Sequence, residues 1–212
     1  MVLYYSRSGI EIWHGDALEA MRSYRAREFA LCLTDPPYGV NIAKRGDVGG
    51  VKFKKSDWDA KRPSAHVFSD IQRVGQASII WGGNYFADLL PPSRGWLVWH
   101  KRPDNRTSFA DCELAWTSLN ANARVLVHLW NGFLKHEKEE RFSHPTQKPL
   151  RLMRWCLDYA SGPASVIDPF CGTGTTLLAA AIAGSRAVGV DAEESYCEIS
   201  ARRLEAYFEG LG

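Results

Sequence analysis

The sequence predicts an α/β fold built on a mostly parallel sheet. Three observations carry this. Short apolar runs of strand length alternate with helical stretches along most of the chain, the pattern of parallel strands joined by crossover helices. One run, Phe29 to Leu33, ends in the stiff acidic turn Thr34-Asp35-Pro36-Pro37-Tyr38-Gly39. Another, Ala164 to Ile167, ends in the glycine-rich turn Asp168-Pro169-Phe170-Cys171-Gly172-Thr173-Gly174-Thr175-Thr176, which opens a helix.

In chain order, Ile10 to His14 reads as a strand closed by Gly15-Asp16. Ala17 to Tyr24 reads as a helix with Leu18 and Met21 on one face and Asp16 as N-cap. After the Phe29–Leu33 strand, Pro36 and Pro37 remove two backbone donors and hold φ near about −65°. Asp35 and the carbonyls around it form an acceptor-rich corner beside the flat Tyr38 ring. Such a corner suits an amino group on a planar ring. Taken alone, it also reads as an ordinary strand-ending turn.

Residues 40–66 are the least core-like segment. Lys44, Arg45, Lys52, Lys54, Lys55, Lys61 and Arg62 are interleaved with Phe53 and Trp58 and loosened by Gly46, Gly49 and Gly50. A mobile basic arm of this length, with aromatics, suits phosphate neutralisation and base contact, against the plainer reading of a solvated loop. Val67 to Gly75 is a predicted helix, Ala77 to Trp81 a strand, and Tyr85 to Leu90 a short helix stopped by Pro91-Pro92. Trp96 to His100, Cys112 to Trp116 and Val125 to Leu129 are strands, and residues 131–147 are loop-like. Pro149 to Ala160 is an amphipathic helix. Beyond the glycine turn come a helix over Leu177 to Ala183, a strand over Ala187 to Val190 closed by Asp191, and a last helix over Glu193 to Glu209.

Composition sets bounds. The 212 residues, 45% hydrophobic and 24% charged, suffice to bury about 70% of the unfolded surface as one domain. A net charge of +2 permits a nucleic-acid partner only through clustered cations. The eight tryptophans suit either a core or base stacking. Five scattered cysteines without a C-x-x-C pair point to a reduced, intracellular protein, expected in the cytoplasm, with no disulfide framework and no zinc site. No signal peptide or membrane span is expected.

Gly172 and Gly174 let backbone approach a ligand at a helix N-terminus. Asp191 follows Gly172 by 19 residues, where an acid can take ribose hydroxyls. This pattern says nucleoside cofactor. It does not say NAD, because Leu177 stands where a third glycine belongs.

The glycine turn resembles the cofactor motif of S-adenosylmethionine-dependent DNA amino-methyltransferases, and Thr34 to Gly39 resembles their Asp-Pro-Pro-Tyr motif. The catalytic motif precedes the cofactor motif, with His144-Pro145-Thr146-Gln147-Lys148-Pro149 between them, as in the beta group of that family. The likeness runs from about Ile10 to Leu204. It implies a Rossmann-like methyltransferase fold: one domain with a mixed, mostly parallel seven-stranded sheet, its last strand antiparallel, and helices on both faces. It implies S-adenosyl-L-methionine as cofactor, with Asp168, Phe170, Gly172, Gly174 and Thr175 at the methionine part and Asp191 at the ribose. Asp16 would read the adenine, and Thr146, Gln147 and Lys148 would lie near the cofactor carboxylate. Asp35, Pro36, Pro37 and Tyr38 would form the amino-group site, with Asp35 close to cofactor as well.

The implied reaction is methylation of adenine N6 in double-stranded DNA, on a base flipped out of the stack, within DNA modification of the restriction-modification kind. Asp before Pro-Pro leans toward adenine in the family. Cytosine N4 is the alternative, and a non-catalytic DNA-binding relative a further one. Lys44, Arg45, Lys52, Lys54, Lys55, Lys101 and Arg102 would meet phosphates. The short 131–147 region stands in place of a large target-recognition domain, so that recognition falls to the 40–66 arm, the enzyme reads little sequence, or a partner supplies specificity; a homodimer is a further expected partner.

Overall fold

The structure, a computed structural model, describes residues 1–48, 51–52, 55–101, 110–131, 134–135, 142, 144 and 146–210. In chain order the elements are β1 (Val2–Arg7), β2 (Ile10–His14), α1 (Ala17–Ser23), β3 (Phe29–Thr34), β4 (Asp47–Val48), β5 (Val51–Lys52), α2 (Ala65–Val74), β6 (Gly75–Trp81) and β7 (Trp96–His100). They continue with β8 (Cys112–Thr117), β9 (Arg124–Val127), β10 (Trp130–Asn131), β11 (Leu134–Lys135), α3 (Leu150–Tyr159), β12 (Ser165–Asp168), α4 (Thr175–Ile182), β13 (Arg186–Asp191) and α5 (Glu194–Glu209).

The main sheet has nine strands in the order β1-β2-β13-β12-β3-β6-β8-β7-β9. From β2 to β6 every neighbour is parallel. Strand alternation sorts the side chains onto two faces. Leu31, Leu33, Ile79 and Trp81 pack with Leu152, Cys156, Leu177 and Leu204, so α3, α4 and α5 cover one face. Cys32 and Ile80, one step out of phase, pack with Met21, Phe68, Ile71 and Val74 of α1 and α2 on the other. The α/β class with helices on both faces therefore holds.

Four details depart from expectation. The sheet has nine strands rather than seven, and the strand antiparallel to its neighbours inside it is β8, not the last in the chain. At the opposite edge β1 pairs antiparallel with β2; half of its residues are exposed and none is fully buried, so it lacks the apolar run of an inner strand. The helix expected over Tyr85 to Leu90 is a 3-10 turn, Gly83–Tyr85, followed by turns closed by Leu89 and Leu90 N–H on the Phe86 carbonyl. The segments read as loops, 40–66 and 131–147, each hold a two-residue-per-strand hairpin, β4–β5 and β10–β11.

The parallel strands deliver their carboxyl ends to one edge. β13 ends on Asp191 and β12 on Asp168, while β3 and β6 lead directly into Asp35 and Gly82. In open parallel sheets this edge is where ligands sit.

Candidate active site

The two motifs meet through one hydrogen bond. Thr34 Oγ1 donates to Asp168 Oδ1 at 2.7 Å across adjacent strands β3 and β12, and the Phe170 N–H adds a second bond to the same oxygen at 3.1 Å. Burial lifts the Asp168 pKa to about 6, with bonds from Thr176, Thr34 and Phe170 opposing the rise. Asp168, expected as a cofactor contact, thus spends its carboxylate largely on tying the two turns together, although it also lines the cavity they share.

That cavity holds about 790 Å³ and runs from Asp16 and Asp191 past Gly172 to Asp35 and Glu113. This is ample for a nucleoside ligand. At the cofactor end, Asp191 accepts the N–H of Gly172 at 2.8 Å and of Glu193 at 2.9 Å. Burial raises its pKa to about 6, partly offset by those bonds. Asp16 caps α1 by accepting the Glu19 N–H at 2.9 Å and faces the same cavity, so the capping and ligand readings coexist. Gly174 has φ +75°, and a Cβ there would sit 1.9 Å from Ser200 Oγ; only glycine lets the turn seat against α5. Arg203 of α5 reaches back to donate to the Thr173 carbonyl at 2.6 Å and to Thr175 Oγ1 at 3.0 Å, which fixes the turn from behind.

At the other end, Tyr38 donates its hydroxyl to Asp35 Oδ1 at 2.5 Å and stacks on Tyr85 with centroids 4.8 Å apart. Lys148, expected near the cofactor carboxylate, lines the shared cavity; its ammonium pairs with Asp35 Oδ2 and lies 3.2 Å from Glu113 Oε2. Lys101, expected to meet phosphate, turns onto Glu113 Oε1 and lies over the Trp99 ring at 5.0 Å. Two carboxylates and two ammoniums thus form a closed, charge-balanced row. Burial raises Asp35, the Lys148 charge partly opposing it. Burial would also raise Glu113, but Lys148 and Lys101 outweigh it and hold its pKa at about 2. Burial would lower Lys148, and its two carboxylate partners reverse that into a rise.

The remaining expected residues divide. Thr146 lines the cavity, its N–H on His144 Nδ1 at 3.2 Å, while Gln147 takes the Phe142 N–H at 2.9 Å. Burial, with the Lys148 charge adding, pushes the His144 pKa down to about 3, so its ring is neutral. Lys44, Arg45, Lys52 and Lys55 are exposed on the arm, and Lys44 lies 3.3 Å from Asp57. Lys54, Arg102 and Arg106 lie outside the described residues. The far end of the arm is tied to the turn after β3 and to His144. Buried Asp59 accepts the N–H groups of Gly39 and Ile42 at 2.8 and 2.9 Å, and Trp58 stacks on His144 at 5.7 Å. Glu113, Asp59 and Arg203 escaped the sequence reading. A lone carboxylate inside the otherwise uncharged strand Cys112–Thr117 was the one available signal for Glu113.

Fold and site together define a class: Rossmann-like enzymes that move a one-carbon group from a nucleoside cofactor to an amino nitrogen. The family model described as DNA methylase matches residues 92–202. The chain is 32% identical over 248 residues to the DNA adenine methyltransferase YhdJ of Escherichia coli K12, covering 92% of this chain and 82% of that one. It is 26% identical to the type II methyltransferase M2.DpnII of Streptococcus pneumoniae, over 96% of this chain and 92% of that one. Among solved structures, a putative DNA modification methylase of Thermus thermophilus complexed with S-adenosyl-L-methionine matches with TM-score 0.58 at 20% identity, over 91% and 93% of the two chains. The PvuII cytosine-N4-specific DNA methyltransferase matches with TM-score 0.66 at 14% identity, over 95% and 88%. The chain belongs to the DNA methylase family. It is an S-adenosylmethionine-dependent DNA methyltransferase, and the acid-lined, nucleoside-sized cavity fits that cofactor in volume and in donor and acceptor chemistry.

Proposed function

We propose that the enzyme methylates the exocyclic N6 of adenine in double-stranded DNA, on a base turned out of the stack. The observation that carries this is the partly buried Asp35 carboxylate, oriented by Tyr38 and Lys148 inside the same cavity as Asp191. The relative 32% identical over 92% of the chain bears an adenine methyltransferase name, which favours adenine over cytosine. Bound S-adenosylmethionine supplies a methyl group on a sulfonium, already electrophilic. The protein's task is to present the nitrogen. Asp35 and the Pro36 carbonyl accept the two amino N–H bonds and turn the lone pair out of the ring plane, so that positioning and preorganised acceptors provide the acceleration. Asp16 and Asp191 hold the nucleoside part and the Gly172–Gly174 turn the methionine part. A planar base fits where the half-exposed Tyr85 ring now stacks on Tyr38. The exposed cations Lys44, Arg45, Lys52 and Lys55 supply phosphate contacts. The five free cysteines suit action in the reducing cytoplasm, where DNA lies.

The test is transfer of radiolabel from S-adenosylmethionine to duplex DNA, followed by digestion to nucleosides. N6-methyladenine is expected. Labelled N4-methylcytosine would overturn the base assignment, and absence of label on any DNA the activity itself. Asp35→Ala should abolish transfer and leave cofactor binding by titration calorimetry within a few-fold. Lys44→Glu with Arg45→Glu should flatten the salt dependence of DNA binding; an unchanged slope removes the arm from the interface.

A further inference from the structure

Asp35 and Lys148 stand side by side as one acceptor and one donor, the first partly buried and the second buried, with side chains 19% and 5% exposed. The Watson–Crick edge of adenine or cytosine is the complement: an amino group, which donates, beside an unprotonated ring nitrogen, which accepts. The Watson–Crick edges of thymine and guanine place a carbonyl beside a ring N–H, the reverse order. We propose that Lys148, anchored by Glu113, is a base-reading residue: the entering base's amino N–H replaces Lys148 on Asp35, and the released Lys148 N–H is donated to the adjacent ring nitrogen. The proposal rests on the amino-methylation reading above and adds to it how the correct edge is chosen.

The arrangement fits this exchange in three ways. First, the three groups hang on separate strand and helix ends: Asp35 after β3, Glu113 in β8 and Lys148 before α3. Their spacing is therefore set by the sheet and not by one flexible loop. Second, charge has to be matched throughout. The amino nitrogen gains positive charge as it is methylated, and an uncompensated ammonium beside it would oppose the reaction. Glu113 supplies the compensation, 3.2 Å from the Lys148 ammonium, while its other oxygen is held by Lys101. Lys148 can thus let go of Asp35 without becoming an isolated buried charge. Third, one ion-pair hydrogen bond is exchanged for two, amino group to Asp35 and Lys148 to ring nitrogen, inside a cavity that all three residues line. Lys148 is no proton acceptor here, because its two carboxylates keep it charged.

The experiment places 1-deazaadenine, in which a C–H replaces the ring nitrogen, at a mapped target adenine in a short duplex; 3-deazacytosine serves if the mapped base is cytosine. Single-turnover methylation is compared on natural and substituted DNA for the wild type and Lys148→Met, with cofactor affinity checked in each. Loss of the ring nitrogen leaves the amino lone pair less delocalised, so without a Lys148 contact the rate should hold or rise. With the contact, wild type should lose roughly ten- to a hundred-fold, the usual weight of a charged hydrogen bond. Lys148→Met should lose a similar factor on natural DNA and little more on the substituted duplex. A wild-type loss below about twofold overturns the proposal without recourse to any variant, as does an equal loss in both proteins. Normal methylation of natural DNA with no penalty on the analogue counts against Lys148 alone, whereas absence of methylation on natural DNA counts against the enzymatic reading.

Discussion

Both oxygens of Asp191 are engaged by backbone N–H groups, yet burial still lifts its pKa to about 6. If Asp191 takes the ribose hydroxyls as proposed, the ionised form is the acceptor, and the sign of the pH effect follows. Above pH 6 the carboxylate is charged and cofactor binding is at full strength; below it, binding must be preceded by loss of a proton. Cofactor affinity should therefore fall by up to about tenfold per pH unit below 6. Asp168 titrates in the same range from the same cavity. In Asp191→Asn the affinity should be weaker throughout and its pH profile shallower, the remaining slope belonging to Asp168. Calorimetry between pH 5 and 8 decides this, and a flat wild-type profile would count against Asp191 as the ribose acid. Asp191 and Asp35 were legible in the sequence because each follows an apolar strand and sits beside a turn of unusual composition. Glu113 was not, because its partners, Lys101 and Lys148, are brought to it only by sheet pairing and by the turn before α3.

The turn after β6 shows how a backbone element shapes the base pocket. Gly82 has φ +71°, and a Cβ there would fall 2.2 Å from Tyr38 Cε1. Gly82→Ala should therefore displace the Tyr38 ring and lower methyl transfer by an order of magnitude or more, while cofactor affinity stays within about twofold. Equal loss of both would place the damage in the fold instead. The arm makes the complementary case for stability. Asp59, 1% exposed, is the acceptor for two N–H groups at the root of the Asp-Pro-Pro-Tyr-Gly turn. Asp59→Ala should leave those donors short of partners and cost about 1–3 kcal/mol, read as a lower urea midpoint at unchanged slope. A midpoint equal to the wild type's would mean that water replaces the carboxylate. The composition of 40–66 announced a basic, aromatic segment but not this anchorage, because any one of three aspartates among seven cations reads as solvent-facing until its neighbours are known. The helix expected over Tyr85 to Leu90 failed for a related reason: apolar Phe86, Leu89 and Leu90 have helical spacing, but Phe86 and Leu90 are drawn into the α2-side core from turns.

At the scale of the molecule, the two motifs belong to one sheet through an interleaving that the chain order conceals. β12 and β13, from the cofactor half of the sequence, are inserted between β2 and β3 of the catalytic half. The alternation of strands and helices made the α/β class and the parallel centre legible. The full width of the sheet was not, because the outer strands lack the burial signature of the inner ones: Val2, Leu3, Val125 and Val127 at the two edges are exposed, whereas every residue from Leu31 to Leu33 is buried. The insertion has a thermodynamic consequence. Removing the cofactor half would leave β2 without the parallel partner β13 and β3 without β12, exposing backbone donors and acceptors along both. Neither half therefore has a complete sheet of its own, and the two should unfold together even though chains of this length often pass through intermediates. Trp81, Trp99 and Trp116 lie buried in the catalytic half, while cofactor binding reports on the other. In a urea titration, the change in tryptophan emission and the loss of cofactor binding extrapolated to low ligand concentration should share one midpoint. Ligand binds only the folded state, so rising S-adenosylmethionine should move the tryptophan transition upward by RT ln(1 + [L]/Kd). A fluorescence midpoint indifferent to the cofactor would show the catalytic half standing independently of the strands inserted into it.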